Sequence, residues 1–332
     1  MPVRTIRLSV SLCVVAGLLS GCAQGPLSTQ EGRLGSDDGT DSCRPQLVAL
    51  DSTGDYFGAQ ILAGAGLGAV GGAMVGGLIG GDWKGALIGA AAGGALGAAG
   101  GYWSALQQQR RDQAGLFSQV TDDLTRENAQ IDRTQLAFDQ LMQCRFRQAQ
   151  AINADYKSRR ITRDYAQAAM DAVNRRTRAE LDMARRINDR LNSRGEEFTV
   201  AAENLTPTAP AAPATVAPAR AVAAKPVTLR RPVPLKLTPD PAAPDIGQLQ
   251  ARQVVNATPS RSGYVLVETA KGERGYAPVA DVQGALAPAA PIATASGDPR
   301  QLAGSNAARR DSFAQSVAVS EKATASGFEL AG

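Results

Sequence analysis

Histidine is absent from the whole chain, which removes the commonest general base and the commonest metal ligand at neutral pH. Cysteine is scarce, at four residues among 332, and no two have the spacing of a zinc site, so neither metal nor cofactor is expected. The glycine-rich stretches lack the GK[ST] ending of a phosphate loop. Asp122 and Asp123 are adjacent on a helical pattern rather than facing each other across a cleft. No catalytic residue is expected, and the protein reads as a non-enzyme. The net charge is only +4 and the two signs are interspersed, which argues against nucleic acid as a partner. Proline is missing from Ser104 to Leu205, leaving room for long helices there.

Glycine, by contrast, is concentrated. Gly64, Gly68, Gly72, Gly76 and Gly80 recur every four residues, and after Asp82-Trp83-Lys84 the register returns at Gly85, Gly89, Gly93, Gly97 and Gly101. Each glycine inside a helix costs about 1 kcal/mol relative to alanine, and two bare stripes offset that cost by letting helices touch backbone to backbone. Phe57 to Gly80 rises roughly 36 Å and Trp83 to Tyr102 roughly 30 Å, each enough for a hydrocarbon core of about 30 Å. Tyr56, Phe57, Trp83, Tyr102 and Trp103 stand where a two-pass hairpin places interfacial aromatics. The stretch from Gly58 to Gly101 resembles the two-pass glycine-zipper segment of bacterial outer-membrane lipoproteins.

At the N-terminus, Arg4 and Arg7 precede an apolar run from Leu8 to Leu18, too short to span and of the export-signal kind. It ends in Leu19-Ser20-Gly21-Cys22, which looks like a bacterial lipobox. The resemblance implies cleavage before Cys22, diacylglycerol on its sulfur and a fatty acyl group such as palmitate on its amine, enough chains for stable anchoring. Ala23 is not the aspartate that retains such lipoproteins at the inner membrane, so the outer membrane is the expected location.

With Cys13 in the signal and Cys22 lipidated, Cys43 and Cys144 remain as a candidate disulfide pair. Closing a loop of about 100 residues stabilises by about 4.7 kcal/mol in the chain-entropy model. A straight helix from Trp103 would carry Cys144 about 60 Å from the membrane, whereas the chain from Cys43 to Tyr56 reaches at most about 45 Å. Either the helices fold back, or Cys144 pairs with another chain, or both thiols stay free.

Over 104–205, Phe117, Val120, Leu124, Ile131, Phe138, Leu141 and Ile152 follow one heptad frame, and Ala184, Ile187, Leu191, Phe198, Ala201 and Leu205 a second. Lys157-Ser158-Arg159-Arg160 reads as the turn of an antiparallel hairpin, or of a three-helix bundle if the chain also breaks near Asn128 to Asp132. Polar residues on the seam (Glu127, Thr134, Arg145, Arg194) suggest that it needs another chain.

A Pro/Ala linker over 206–225 leads to short segments punctuated by Pro, Gly and Asp. "LKLTPDP", "IGQLQARQVV" and "GYVLVETAKGERGYAPVADV" resemble the strands and terminal hairpin of a bacterial SH3-like domain over Pro226 to Gln283. The resemblance implies a small all-β barrel with ligand contacts at Tyr264, which stands where the family usually has Trp, and Tyr276. The Ala/Ser/Pro-rich stretch 285–332 is expected to be disordered.

The expected layout is a signal peptide (1–21), an anchor linker (22–55), a zipper hairpin (56–103), a coiled-coil stalk (104–205), the linker, a β domain (226–284) and the tail. The chain is thus mainly α, with a small β barrel. The expected role is an oligomeric outer-membrane lipoprotein that tethers the membrane to peptidoglycan or to an envelope protein. The alternative is a zipper oligomer forming a pore or part of a secretion ring.

Overall fold

A computed structural model of the protein describes residues 30–55, 102–103, 106–107, 112–205, 223–284 and 297–330. The expected export signal with Cys22, the zipper glycines Gly64 to Gly101 and the linker over 206–222 lie outside the described residues. The chain divides into two units, 1–41 and 42–332. In the first, α1 (Gln30–Leu34) precedes two aspartate turns, in which the Asp37 and Asp38 carboxylates accept from the backbone N–H groups of Gly39 and Thr40 at 3.0 and 2.9 Å.

The second unit is built on α3 (Gln113–Lys157) and α4 (Arg163–Asn204), an antiparallel pair. α3 stops at the expected turn. Arg159 takes a left-handed φ of 58°, and the Thr162 hydroxyl then caps α4 by accepting from Tyr165 N–H at 3.3 Å. Val120, Leu124, Ile131, Phe138 and Leu141 of the first heptad frame are buried, as are all six residues named in the second; Phe117 and Ile152 are half-buried.

Three expectations fail here. α3 does not break at Asn128 to Asp132, because those polar side chains receive partners from a later helix. The seam needs no second chain for its ionic residues: Arg194 lies in a bidentate pair with Glu127 (2.8 and 2.6 Å), and Arg145 is paired with Glu180, all four side chains buried. Finally, the anchor linker ends in a helix, α2 (Arg44–Asp55), which lies antiparallel along α3 with Cys43, Leu47 and Leu50 buried.

The tail is the largest departure. Residues 299–327 form α5, begun by Asp298 as N-cap (Arg300 N–H at 2.9 Å) and Pro299 in the first turn, and packed against both α3 and α4. Leu302, Asn306, Arg309, Phe313, Ser316, Ser320, Thr324 and Phe328 recur at helical spacing and are all buried. Phe313 meets Phe138 edge-on at 5.5 Å and Phe328 meets Phe146 at 4.9 Å. Asn306 donates to Asn128, Asn128 to the Leu302 carbonyl, and Arg309 to Asp132. Five of those eight residues are polar, so hydrophobic periodicity does not announce the stripe.

The β domain has seven strands: β1 (Lys225–Leu229), β2 (Val233–Lys236), β3 (Asp245–Leu249), β4 (Val254–Pro259), β5 (Tyr264–Glu268), β6 (Arg274–Pro278) and, after a 3₁₀ turn at Val279–Asp281, β7 (Val282–Gln283). They form one antiparallel sheet in the order β3-β2-β6-β5-β4-β1-β7. The β4-β5-β6 meander, followed by a last strand returning to β1, is compatible with an SH3-like domain. At Gly275 β6 crosses β2 so closely that a Cβ would sit 2.5 Å from Leu235 and 2.9 Å from the Lys236 carbonyl, which requires glycine there.

Candidate functional site

The zipper segment is inserted between two anchored points of the bundle. On the entry side, α2 is fixed by the disulfide from Cys43 to Cys144 and, a few turns later, by Gln130, whose amide donates to the Thr53 carbonyl at 3.0 Å. On the return side, the Tyr102 hydroxyl donates to Asp123 at 2.8 Å and its backbone N–H to Glu197 at 3.0 Å. Tyr102, Trp103 and Leu106 are buried in a cluster with Leu116, Val120, Leu124, Phe198 and Leu205. Tyr102 and Trp103 are therefore core residues of the bundle rather than interfacial anchors, and α3 begins at Gln113 instead of running on from Trp103. Asp123 also accepts from Gln119 and Arg126. Burial raises its carboxyl above the usual range, against those three donors.

Asp123 and Gln130 are seven residues apart on α3, about 10 Å at helical rise. Both ends of the segment therefore meet the bundle at one end, the end where α4 finishes and α5 starts (Arg300 donates to the carbonyls of Ala202 and Leu205).

The β domain docks farther along α3. Gln143 donates to Thr238, Arg147 to the Ala242 carbonyl and Gln150 to the Asp245 carbonyl. Arg261 donates to Asp139 at 3.1 Å, and Gln135 to the same carboxylate at 2.8 Å. Burial pushes Asp139 up to about 6, with Arg261, Gln135 and Ser316 acting the other way. Tyr276 is 2 % exposed, with its hydroxyl 3.5 Å from Ser316 of α5, and burial pushes its phenol up to about 12. Leu266, directly across the sheet from Tyr276, is buried too. That explains why β5 and β6 lack alternation. Tyr276 thus meets the chain's own helix and is closed to an external ligand, whereas Tyr264 is half-buried at the start of β5.

Of the sequence-predicted residues, Cys43 and Cys144 are brought together, with Cα atoms 5.9 Å apart. Tyr264 and Tyr276 lie on adjacent strands with different exposure, and Cys22 and the zipper glycines are not described. Sequence reasoning took Asp123 as one of an adjacent solvated pair, whereas it is buried, and missed Glu197 and Asp139; a carboxylate on a charged helix carries no signal until its partner is known. Among the described residues, no group of side chains could hold a metal ion, and no helix is long and apolar enough to cross a membrane.

Residues 51–105 match the family model described as the YMGG-like Gly-zipper. The match supports a glycine-zipper segment and fits a membrane-associated role. No curated protein and no solved structure matches the chain.

Proposed function

We propose that the protein is a non-enzymatic, lipid-anchored scaffold of the bacterial outer membrane, with the zipper segment as a two-pass membrane hairpin and the disulfide-bonded bundle and β domain in the periplasm. The observation that carries this reading is that Thr53 and Tyr102 are held by Gln130 and Asp123, two side chains of α3 whose backbones lie about 10 Å apart along that helix. The 56–101 segment leaves and re-enters at one end of the bundle, as a hairpin requires. Phe57 to Gly80 rises about 36 Å and Gly85 to Gly101 about 25 Å, on the scale of a hydrocarbon core of about 30 Å. The bundle then stands on the membrane by that end and holds the β domain away from it. Lipid is one partner, and the zipper stripes make like copies of the chain a second. Peptidoglycan or an envelope protein is the third, met by surfaces of the β domain other than the covered Tyr276 face.

The test is topological. In intact cells, a polyethylene-glycol maleimide too large for porins labels Lys84→Cys at the far turn and spares Arg178→Cys on the bundle. Equal labelling of the two overturns the hairpin. Retention of the full chain on purified sacculi, weakened by Tyr264→Ala, supports the cell-wall contact; a flow-through protein removes it. Dye leakage from liposomes carrying the protein turns the reading toward a pore.

A further inference from the structure

The bond between Cys43 and Cys144 borders a cleft of about 630 Å³ whose walls include Gln46, Gln140, Arg147, Gln148 and Ala151, together with Cys144 itself. The two sulfur-bearing residues differ sharply: Cys43 is fully buried, while Cys144 is partly exposed and faces the cleft. Most of the lining side chains are polar, the side-chain carbonyl of Gln46 is buried there without a hydrogen-bond partner, and Arg147 supplies a cation. A nucleophile arriving by this route meets one end of the disulfide only.

We propose that Cys144 is a thiol-exchange site whose reactant is a dithiol reductant. A thiolate entering the cleft attacks Cys144 Sγ. A new S–S bond forms to Cys144, the Cys43–Cys144 bond breaks, and Cys43 leaves as a thiolate that takes a proton from water. The donor's second thiolate then attacks the donor sulfur of the mixed disulfide, so the donor departs oxidised and Cys144 departs as a thiolate that is protonated in turn. Two electrons pass from the dithiol to the protein. Arg147 favours the incoming thiolate by its charge, and the Gln148 side-chain carbonyl stands 3.9 Å from Cys43 Sγ, placed to accept from the freed thiol.

The exchange unties α2 at its N-terminal end, leaving Leu47, Leu50 and the Gln130 contact to hold the helix that leads into the zipper. That consequence rests on the reading of the zipper as a membrane hairpin; the chemistry at Cys144 does not.

The experiment uses the folded full chain and reduced glutathione as a monothiol probe, with the mixed disulfide trapped by acid quench before Cys43 or a second glutathione resolves it and the adduct mapped by peptide mass spectrometry. The expected adduct is on Cys144, exceeding any on Cys43 by at least about tenfold, and it forms faster than global unfolding. Gln140→Trp, which narrows the cleft, slows it by about tenfold or more while leaving the oxidised protein's melting temperature unchanged. An adduct spread equally over both cysteines, or one that appears only at the unfolding rate, overturns the proposal without touching the maleimide topology result.

Discussion

The phenolic hydroxyl of Tyr102 donates to the buried carboxylate of Asp123 at 2.8 Å, so the residue that closes the glycine-rich segment is locked to the first turns of α3. The same tyrosine stacks edge-on with Phe198 at 5.0 Å, which ties in the last turns of α4. One side chain thus joins the return of the zipper to both long helices. Tyr102→Phe keeps the ring contact and removes the donor, which is expected to cost about 1–3 kcal/mol. A urea titration of Tyr102→Phe, Asp123→Asn and the double variant should show the double change costing less than the sum of the singles. Additive costs would mean that the two groups do not interact.

The Arg145–Glu180 pair is buried on both sides. Arg145→Met strands a carboxylate in the core and is expected to destabilise by about 3–5 kcal/mol, whereas Arg145→Met with Glu180→Leu recovers most of the loss. Chemical denaturation reads both. A double variant as unstable as the single one would show that the ion pair itself, rather than its desolvated remnant, sets the stability.

Asp139 supplies a pH dependence. Its folded-state value is raised from near 3.8 to about 6 by burial, so the folded protein holds this proton more tightly than the unfolded chain. The contribution to stability is complete below about 3.8 and is lost as pH rises through about 6. The full loss across that range corresponds to about 3 kcal/mol. The groups facing it are Arg261, Gln135, Ser316 and Tyr276. Relative to Asp139→Asn, the native protein should lose stability between pH 4 and 6.5; parallel pH profiles of the two proteins would contradict the assignment.

The glycine stripe is tested against its own neighbours. Gly72→Leu with Gly76→Leu fills the stripe and should abolish crosslinked oligomers from membranes, while Gly71→Leu with Gly77→Leu, off the stripe, should spare them. Identical behaviour of the two pairs would leave the fourfold spacing without a packing role.

What could be read in advance follows from what depends on neighbours in sequence. The heptad stripes through Val120, Leu124 and Ile131 and through Ile187, Leu191 and Phe198 are visible because apolar side chains at helical spacing must be buried somewhere. Strands such as Val254–Pro259 and Tyr264–Glu268 are legible because Pro, Ser and Gly interrupt them. α5 was not, since Asn306, Arg309, Ser316, Ser320 and Thr324 occupy its buried face. A polar residue reads as solvated until its partner is found, and those partners, Asn128 and Asp132 among them, lie far away along the chain.

The sequence by itself determined the long helices, their turn, the strand-rich module, the fourfold glycine spacing and which two cysteines remain as a candidate pair. The first four follow from local spacing and backbone chemistry, and the cysteine pair from the resemblance of Leu19 to Cys22 to a lipobox. Only the tertiary structure decided that Tyr102 belongs to the core, that Arg145 and Arg194 find carboxylates within their own chain, and that α5 covers Tyr276. Those outcomes depend on desolvation and on hydrogen-bond partners brought together across long loops. The energy of burying a polar group is set by what lies opposite it, and no local pattern records that.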